Sequence, residues 1–329
     1  INLYKYFCQF FMKKKLVLSI LVSIIILCLV ISPQKYILVT KNAIGVWAKV
    51  LLPALFPFFV FTKLLTSLGY VQNVSSVFKN LTYKLYKTPP ISGYAFFISI
   101  LSGYPVGSKL VSDLYDSGQM TKLEAKKTLT FTSNSGPMFI LGSVGIGMLQ
   151  NQKIGFILLF SHIISAIFNG LLYKNIKGEN TYKNSKNLYS QTGDLSTSVN
   201  NSISAILTVG GMVIVAFIFI EILNNFNIFY PIIFIFSKIG INANISSGII
   251  NGFFEITKGC LNISSLDILP IFKTTILSFI ISFGGLCTTL QAMAFLKEIT
   301  SYKFFILQKI THAILSCFAC VILCLIFRV

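Results

Sequence analysis

The chain has 329 residues, a formal net charge of +18, 54% hydrophobic and 11% charged residues, and a mean hydropathy of +0.79. So little polar surface excludes a water-soluble globule of this length and puts the chain in a bilayer, among membrane lipids. The positive charge does not indicate a nucleic-acid partner: the lysines fall between apolar runs instead of forming one stripe interleaved with aromatics, and read as topogenic.

The chain opens at Ile1, and Met12 followed by Lys13, Lys14 and Lys15 reads as a natural start, with residues 1–11 a fragment edge or gene-start error. Residues 1–15 form a basic segment and residues 16–32 a transmembrane anchor. The apolar run Leu16 to Ile31 is followed by Ser32, Pro33, Gln34 and Lys35 with no small-residue cleavage site, as in an uncleaved signal anchor. A second span, about Ile44 to Leu68, is interrupted by Pro53 and Pro57. The triple lysine holds the N-terminus in the cytoplasm. Lys79, Lys84 and Lys87, with no acid nearby, put the next loop on the same side, as do Lys174, Lys177, Lys183 and Lys186 against Glu179 and Asp194. An even number of crossings must then lie between residues 90 and 173. The candidates are a broken hairpin around 91–112, an amphipathic stretch Lys122 to Leu129, a second broken hairpin around 130–149 and a clean span from Ile154 to Tyr173. Residues 44–173 form a first repeat, 174–200 a polar cytoplasmic linker and 201–327 a second repeat.

Two polar, helix-breaking motifs interrupt the first repeat: SGYPVGS (Ser102 to Ser108) and SNSGP (Ser133 to Pro137). Backbone groups freed by such breaks are tolerated at bilayer depth only where protein or a water-filled cavity covers them. Free amides of a broken helix attract anionic or polar groups, and free carbonyls attract cations. Ser102, Gly103, Tyr104, Gly107 and Ser108 offer one such break, and Ser133, Asn134, Ser135 and Gly136 another. The competing reading is a tight bend whose small residues let helices pack closely.

The second half answers the first. LFPFFVFTKLL (Leu55 to Leu65) matches MVIVAFIFIEIL (Met212 to Leu223), and SGYPVGSKL matches NGFFEITKGCL (Asn251 to Leu261). SNSGPMF falls opposite SFGGLCTT (Ser282 to Thr289), and FSHIISAIF (Phe160 to Phe168) opposite KITHAILSCF (Lys309 to Phe318). His162 and His312 are 150 positions apart, as are Asn134 and Gly284. Because the flanking polar loops also correspond, both copies are expected to have the same orientation. Glu255 is an ionisable group in an apolar setting, whose default reading is functional, with Lys258 as partner at i+3 and Thr257 as a hydroxyl ligand. It can bind a cation or carry a coupling proton; the alternative is an acid exposed at the membrane surface. Gln291 is the next candidate for solute contact, against an interhelical hydrogen bond. Glu221, near the carboxyl end of its span, reads equally as snorkelling to the interface. Lys109, Asp113 and Asp116 mark the water-facing end of the first hairpin. The two histidines read as packing hydrogen bonds ahead of a proton relay, and Cys317, Cys320 and Cys324 as packing or lipid-facing residues.

GYPVGSK with the following EAKKTLTFTSNSGPMFILGSVG, then NGFFEITKG and SFGGLCTTLQ, resembles the YlbJ-like sporulation integral membrane proteins over about residues 16–327. These belong to the Gate, or nucleoside-recognition, domain group shared with the membrane parts of ferrous-iron permeases and with concentrative nucleoside transporters. The resemblance implies an all-α polytopic protein of the mother-cell membrane around the forespore, acting in spore maturation and cortex formation; it supplies no solute. No phosphate loop, zinc-protease motif or nucleophile elbow occurs in the sequence, so an enzyme is not expected, and neither a cofactor nor a metal. The expectation is two repeats with transmembrane helices and broken or re-entrant hairpins. They would hold a site for a small polar solute and a coupling ion, with a homo-oligomer or a sporulation membrane protein as further partners. A scaffold for spore-envelope assembly and a lipid or precursor flippase are the alternatives.

Overall fold

A computed structural model describes residues 16, 19–67, 79–104, 106–178, 180–181 and 194–329. Residues 1–15, with Met12 and the triple lysine, and Glu179, Lys183 and Lys186 of the linker lie outside the described residues. All regular structure among the described residues is helical, and five helices are long and apolar enough to cross a membrane. The chain is an integral membrane protein.

Helix α1 (Ser19–Ile31) precedes a nearly continuous rod made of α2 (Pro33–Val46), a π-helical segment Trp47–Leu51 and α3 (Leu52–Ser67). The span therefore starts at Pro33, earlier than the Ile44 expected, and its prolines do not break it. Proline has no N–H to donate to the residue four positions back, and the ladder just before Pro53 shifts register: Leu52 N–H donates to the Trp47 carbonyl, one residue beyond the α-helical partner. The short α4 (Lys79–Tyr86) leads into a helical hairpin, α5 (Ile91–Ser102) and α6 (Val106–Asp116). Then α7 (Lys122–Thr132), a gap at 133–137 and a π-helix Met138–Met148 are followed by α8 (Gln152–Tyr173). The order then recurs. A long helix α9 (Leu195–Asn225), capped by Asp194, is followed by a short α10 (Tyr230–Lys238) and a hairpin of α11 (Ala243–Phe254) and α12 (Ile256–Ser264). The chain closes with α13 (Pro270–Phe283), α14 (Gly285–Leu296) and α15 (Tyr302–Phe327).

The segment expected as a second broken hairpin is a single crossing, broken in the middle. Gly145 lies against Gly155, Ser135 against His162, and Thr130 against Asn169, so α7 and the π-helix run end to end along α8 in the opposite direction. Two crossings, this one and α8, meet the parity that the lysine loops demand. The hairpin reading failed because a Ser-Asn-Ser-Gly-Pro run marks a break but not whether the chain reverses after it. Direction is set by what the next segment packs against.

The matched halves run in opposite directions, against the expectation of one shared orientation. Lys35 and Tyr36 at the start of α2 contact Asn225 at the end of α9, while Trp47 donates to the Ile206 carbonyl at 3.1 Å. Along α8 and α15, Ile157 packs with Cys320 and Cys324, His162 meets His312, and Tyr173 meets Phe304 and Thr311. Each pair of corresponding helices is antiparallel. Similar flanking loops carried no information about direction, because polar loops of like composition occur on either side of a bilayer. Close helix approach rests on small residues, as membrane packing without a hydrophobic drive requires: a Cβ on Gly259 would sit 2.1 Å from the Gly252 Cα in the second hairpin.

Candidate functional site

Both hairpin tips meet both helix breaks at the centre of the bundle. In the first hairpin the chain turns at Gly103 (φ +73°), where a Cβ would lie 2.6 Å from the backbone nitrogen of Gly136. Only a residue without a side chain lets the tip touch the first break backbone to backbone. In the second hairpin the turn is at Glu255, in extended conformation, whose carboxylate caps α12 by accepting the Lys258 N–H at 2.7 Å. This tip rests on the second break, Gly284–Gly285, where both residues have positive φ and a Cβ on Gly285 would lie 3.1 Å from the Phe254 carbonyl oxygen.

Two side chains tie the breaks together. His162, buried on α8, accepts from the Ser135 N–H at 2.9 Å through Nε2, and its Nδ1 lies 2.7 Å from Ser282 Oγ. A backbone amide can only donate, so the ring proton sits on Nδ1 and is given to Ser282. His312 stands beside it, ring centroids 4.7 Å apart, with Nε2 donating to the His162 carbonyl at 3.2 Å. Packing hydrogen bonds, not an exposed relay, account for both rings. Tyr104 reaches from the first tip to the second broken helix, its hydroxyl 3.4 Å from the carbonyls of Ile281 and Ser282.

Between the tips lies a cavity of about 80 Å³. Its polar wall contains eight of the residues singled out in the sequence: Ser102, Gly103, Tyr104, Ser135, Gly136, Glu255, Thr257 and Gln291, joined by Cys287 and Thr288 of α14. Its apolar wall comes from the rod and from α9, with Leu51, Leu55, Phe59, Val209, Met212 and Val213 among its residues. Five expected site residues stand outside this lining. Gly107 packs on the Thr132 carbonyl and Ser99, and Ser108 is buried with its hydroxyl unpaired. Asn134 bridges the Phe131 carbonyl and Ser99 Oγ at 2.8 and 3.0 Å, holding the break against the hairpin, and the Ser133 carbonyl accepts from Lys309 at 2.8 Å. The Lys258 ammonium does not pair with Glu255. It turns to Glu221 at 4.0 Å and over the Phe217 ring, while Lys35 reaches the other Glu221 oxygen at 3.2 Å. A residue at i+3 of an N-cap carboxylate offers it a backbone N–H, and the side chain is left free to point elsewhere.

Lys309 is the functional candidate that sequence reasoning missed. It lies on α15 with 1% of its surface exposed, bonded to the Tyr104 hydroxyl and the Ser133 carbonyl. The signal was present: an ionisable group inside an apolar span, three positions before a matched histidine.

No protein-family profile matches the chain. It is 26% identical over 293 residues to the sporulation integral membrane protein YlbJ of Bacillus subtilis (strain 168), covering 81% of this chain and 72% of that one. The resemblance read from the sequence motifs is borne out. Among solved structures the fold is similar to CNTnw, a concentrative nucleoside transporter, in an inward-facing substrate-bound state, with a TM-score of 0.61 and 14% identity over 84% of this chain and 74% of that chain. A second structure of that protein, in an intermediate state, has a TM-score of 0.62 at 14% identity, covering 86% and 76%. At this identity the likeness is one of fold alone, that of an all-helical polytopic membrane protein.

Proposed function

We propose that the chain carries a small polar solute across the membrane of a sporulating cell, in the mother-cell membrane around the forespore, and that spore maturation or cortex formation depends on it. The solute is held between the two hairpin tips, with Glu255 and Gln291 as its hydrogen-bonding partners and the freed backbone of Ser102 to Tyr104 and of Ser135 to Gly136 completing the contact. The observation that carries this reading is the meeting of both tips and both breaks around one cavity whose wall includes a buried carboxylate. An acid so placed needs a partner, and the Lys258 ammonium that would pair with it turns to Glu221. The fold shared with a transporter and the likeness to a sporulation membrane protein support the same reading.

The cavity of about 80 Å³ is far below the roughly 300–1,000 Å³ of sites that bury drug-sized ligands, so admitting a solute requires a tip to move. Proteoliposomes holding the full chain, tested with a panel of labelled nucleosides and other small polar solutes, should take up at least one of them. Glu255→Gln should lower that uptake at least about tenfold, the worth of one lost hydrogen bond to a charged group. Uptake of none of the panel, or a Glu255→Gln protein working at the wild-type rate, would overturn the reading. Loss of spore maturation on deleting the gene, restored by the wild-type chain but not by Glu255→Gln, tests its cellular part; restoration by both would favour a scaffold.

A further inference from the structure

A buried lysine normally survives in a protein interior by pairing with a carboxylate. Lys309 does not: among the described residues no acid lies within ion-pair distance of its ammonium. The two histidines near it cannot balance its charge either, since an imidazole side chain is neutral or positive and never a counter-anion, and the Ser135 N–H on Nε2 keeps the His162 ring neutral. What surrounds the ammonium is a set of dipolar oxygens. The Ser133 carbonyl, at the C-terminal cap of α7, accepts at 2.8 Å, and the Tyr104 hydroxyl accepts too. The carboxyl end of a helix carries the negative pole of its dipole, and neutral oxygens can hold a cation without a counter-charge, as backbone carbonyls do in ion-selective pores. Two more acceptors at the same break, Ser133 Oγ and Asn134 Oδ1, are buried without a partner among the described residues.

We propose that Lys309 is the resident cation of the first break: its tethered ammonium fills the position between the first hairpin tip and the carboxyl end of α7, where the Tyr104 hydroxyl and the Ser133 carbonyl converge, and so leaves no place there for a dissolved alkali cation. The first half of the molecule is therefore closed by a charge the protein carries itself. Through Tyr104, whose hydroxyl stands 3.4 Å from the Ile281 and Ser282 carbonyls, the same charge holds the tip to the second broken helix. This inference does not depend on the transport reading, since it concerns the closed state of the tip and needs no solute.

The test uses the full chain in detergent. The wild-type thermal midpoint should be the same in sodium, lithium, potassium and choline chloride at equal ionic strength. Lys309→Ala should melt several degrees lower in choline, expose the peptide around Ser99 to Gly107 to faster hydrogen exchange, and regain part of both losses saturably with sodium, lithium or methylammonium. Lys309→Arg should keep the wild-type indifference to the cation. If Lys309→Ala fails to fold, Lys309→Met, which keeps most of the stem and lacks the charge, takes its place in the same measurements. Saturable stabilisation of the wild-type protein by sodium overturns the proposal, as does a loss in the alanine or methionine variant that no cation recovers.

Discussion

His162 makes its two ring nitrogens serve two different breaks, accepting from Ser135 and donating to Ser282, 120 positions away in sequence. Removing one partner of a buried pair leaves the other unsatisfied, at a cost of about 1–3 kcal/mol. Ser282→Ala should therefore destabilise the protein by about that amount, read as a fall in the thermal midpoint in detergent, whereas Thr208→Ala, at an exposed hydroxyl on α9 bonded only within its own helix, should leave it nearly unchanged. At this scale Glu255 was legible, because an acid in an apolar run stands out in any sequence. Lys309 was equally visible but passed over. Its role could not be read in any case: its partners are 176 and 205 positions away. The partner of Lys258 was also hidden, since helical spacing put Glu255 within reach while the fold brought Glu221 from a different helix.

The elements depend on a few glycines and not on glycine in general. Gly103 has φ +73° and ψ −167°, a region essentially closed to other residues, and faces Gly136 with no room for a Cβ. Gly103→Ala should cost at least about 1–3 kcal/mol through backbone strain alone, and should separate the hairpin tip from the first break. Gly211, in the middle of α9 with nothing within 4 Å of its Cβ position, is the control, and Gly211→Ala should be neutral or mildly stabilising. Thermal midpoints of the two variants, with hydrogen exchange across residues 99–107, would separate these outcomes. The breaks were legible because Gly, Pro and short polar residues interrupt an apolar run by their own chemistry. Whether a break reverses the chain was not: the first reverses between α5 and α6, and the next continues from α7 into the π-helix, though both carry the same residue types.

At the scale of the whole molecule the corresponding helices are antiparallel, and this has a consequence for which ends share a membrane face. Lys153 and Lys303 lie at the starts of α8 and α15, the helices matched in sequence, yet Tyr173 at the far end of α8 meets Phe304. Single cysteines replacing Lys153 and Lys238 should react with an impermeant thiol reagent from one face, and those replacing Lys177 and Lys303 from the other, with the native cysteines replaced by alanine. Labelling of positions 153 and 303 from the same face would restore the parallel arrangement. The inverted arrangement also accounts for the histidines: residues related across two antiparallel helices meet where the helices cross at one level, so His162 and His312 come together without being close in sequence. By itself the sequence determined that the chain lives in a bilayer and that its Ser- and Gly-rich motifs at 102–108 and 133–137 interrupt their helices, because both follow from local apolarity and backbone chemistry. Only the tertiary structure decided the direction of each half, the partner of each buried charge and the meeting of both tips at one cavity. Those are set by contacts between segments well separated in sequence, from 33 positions for Gly103 and Gly136 to 205 for Tyr104 and Lys309, and no local residue pattern encodes a direction in space.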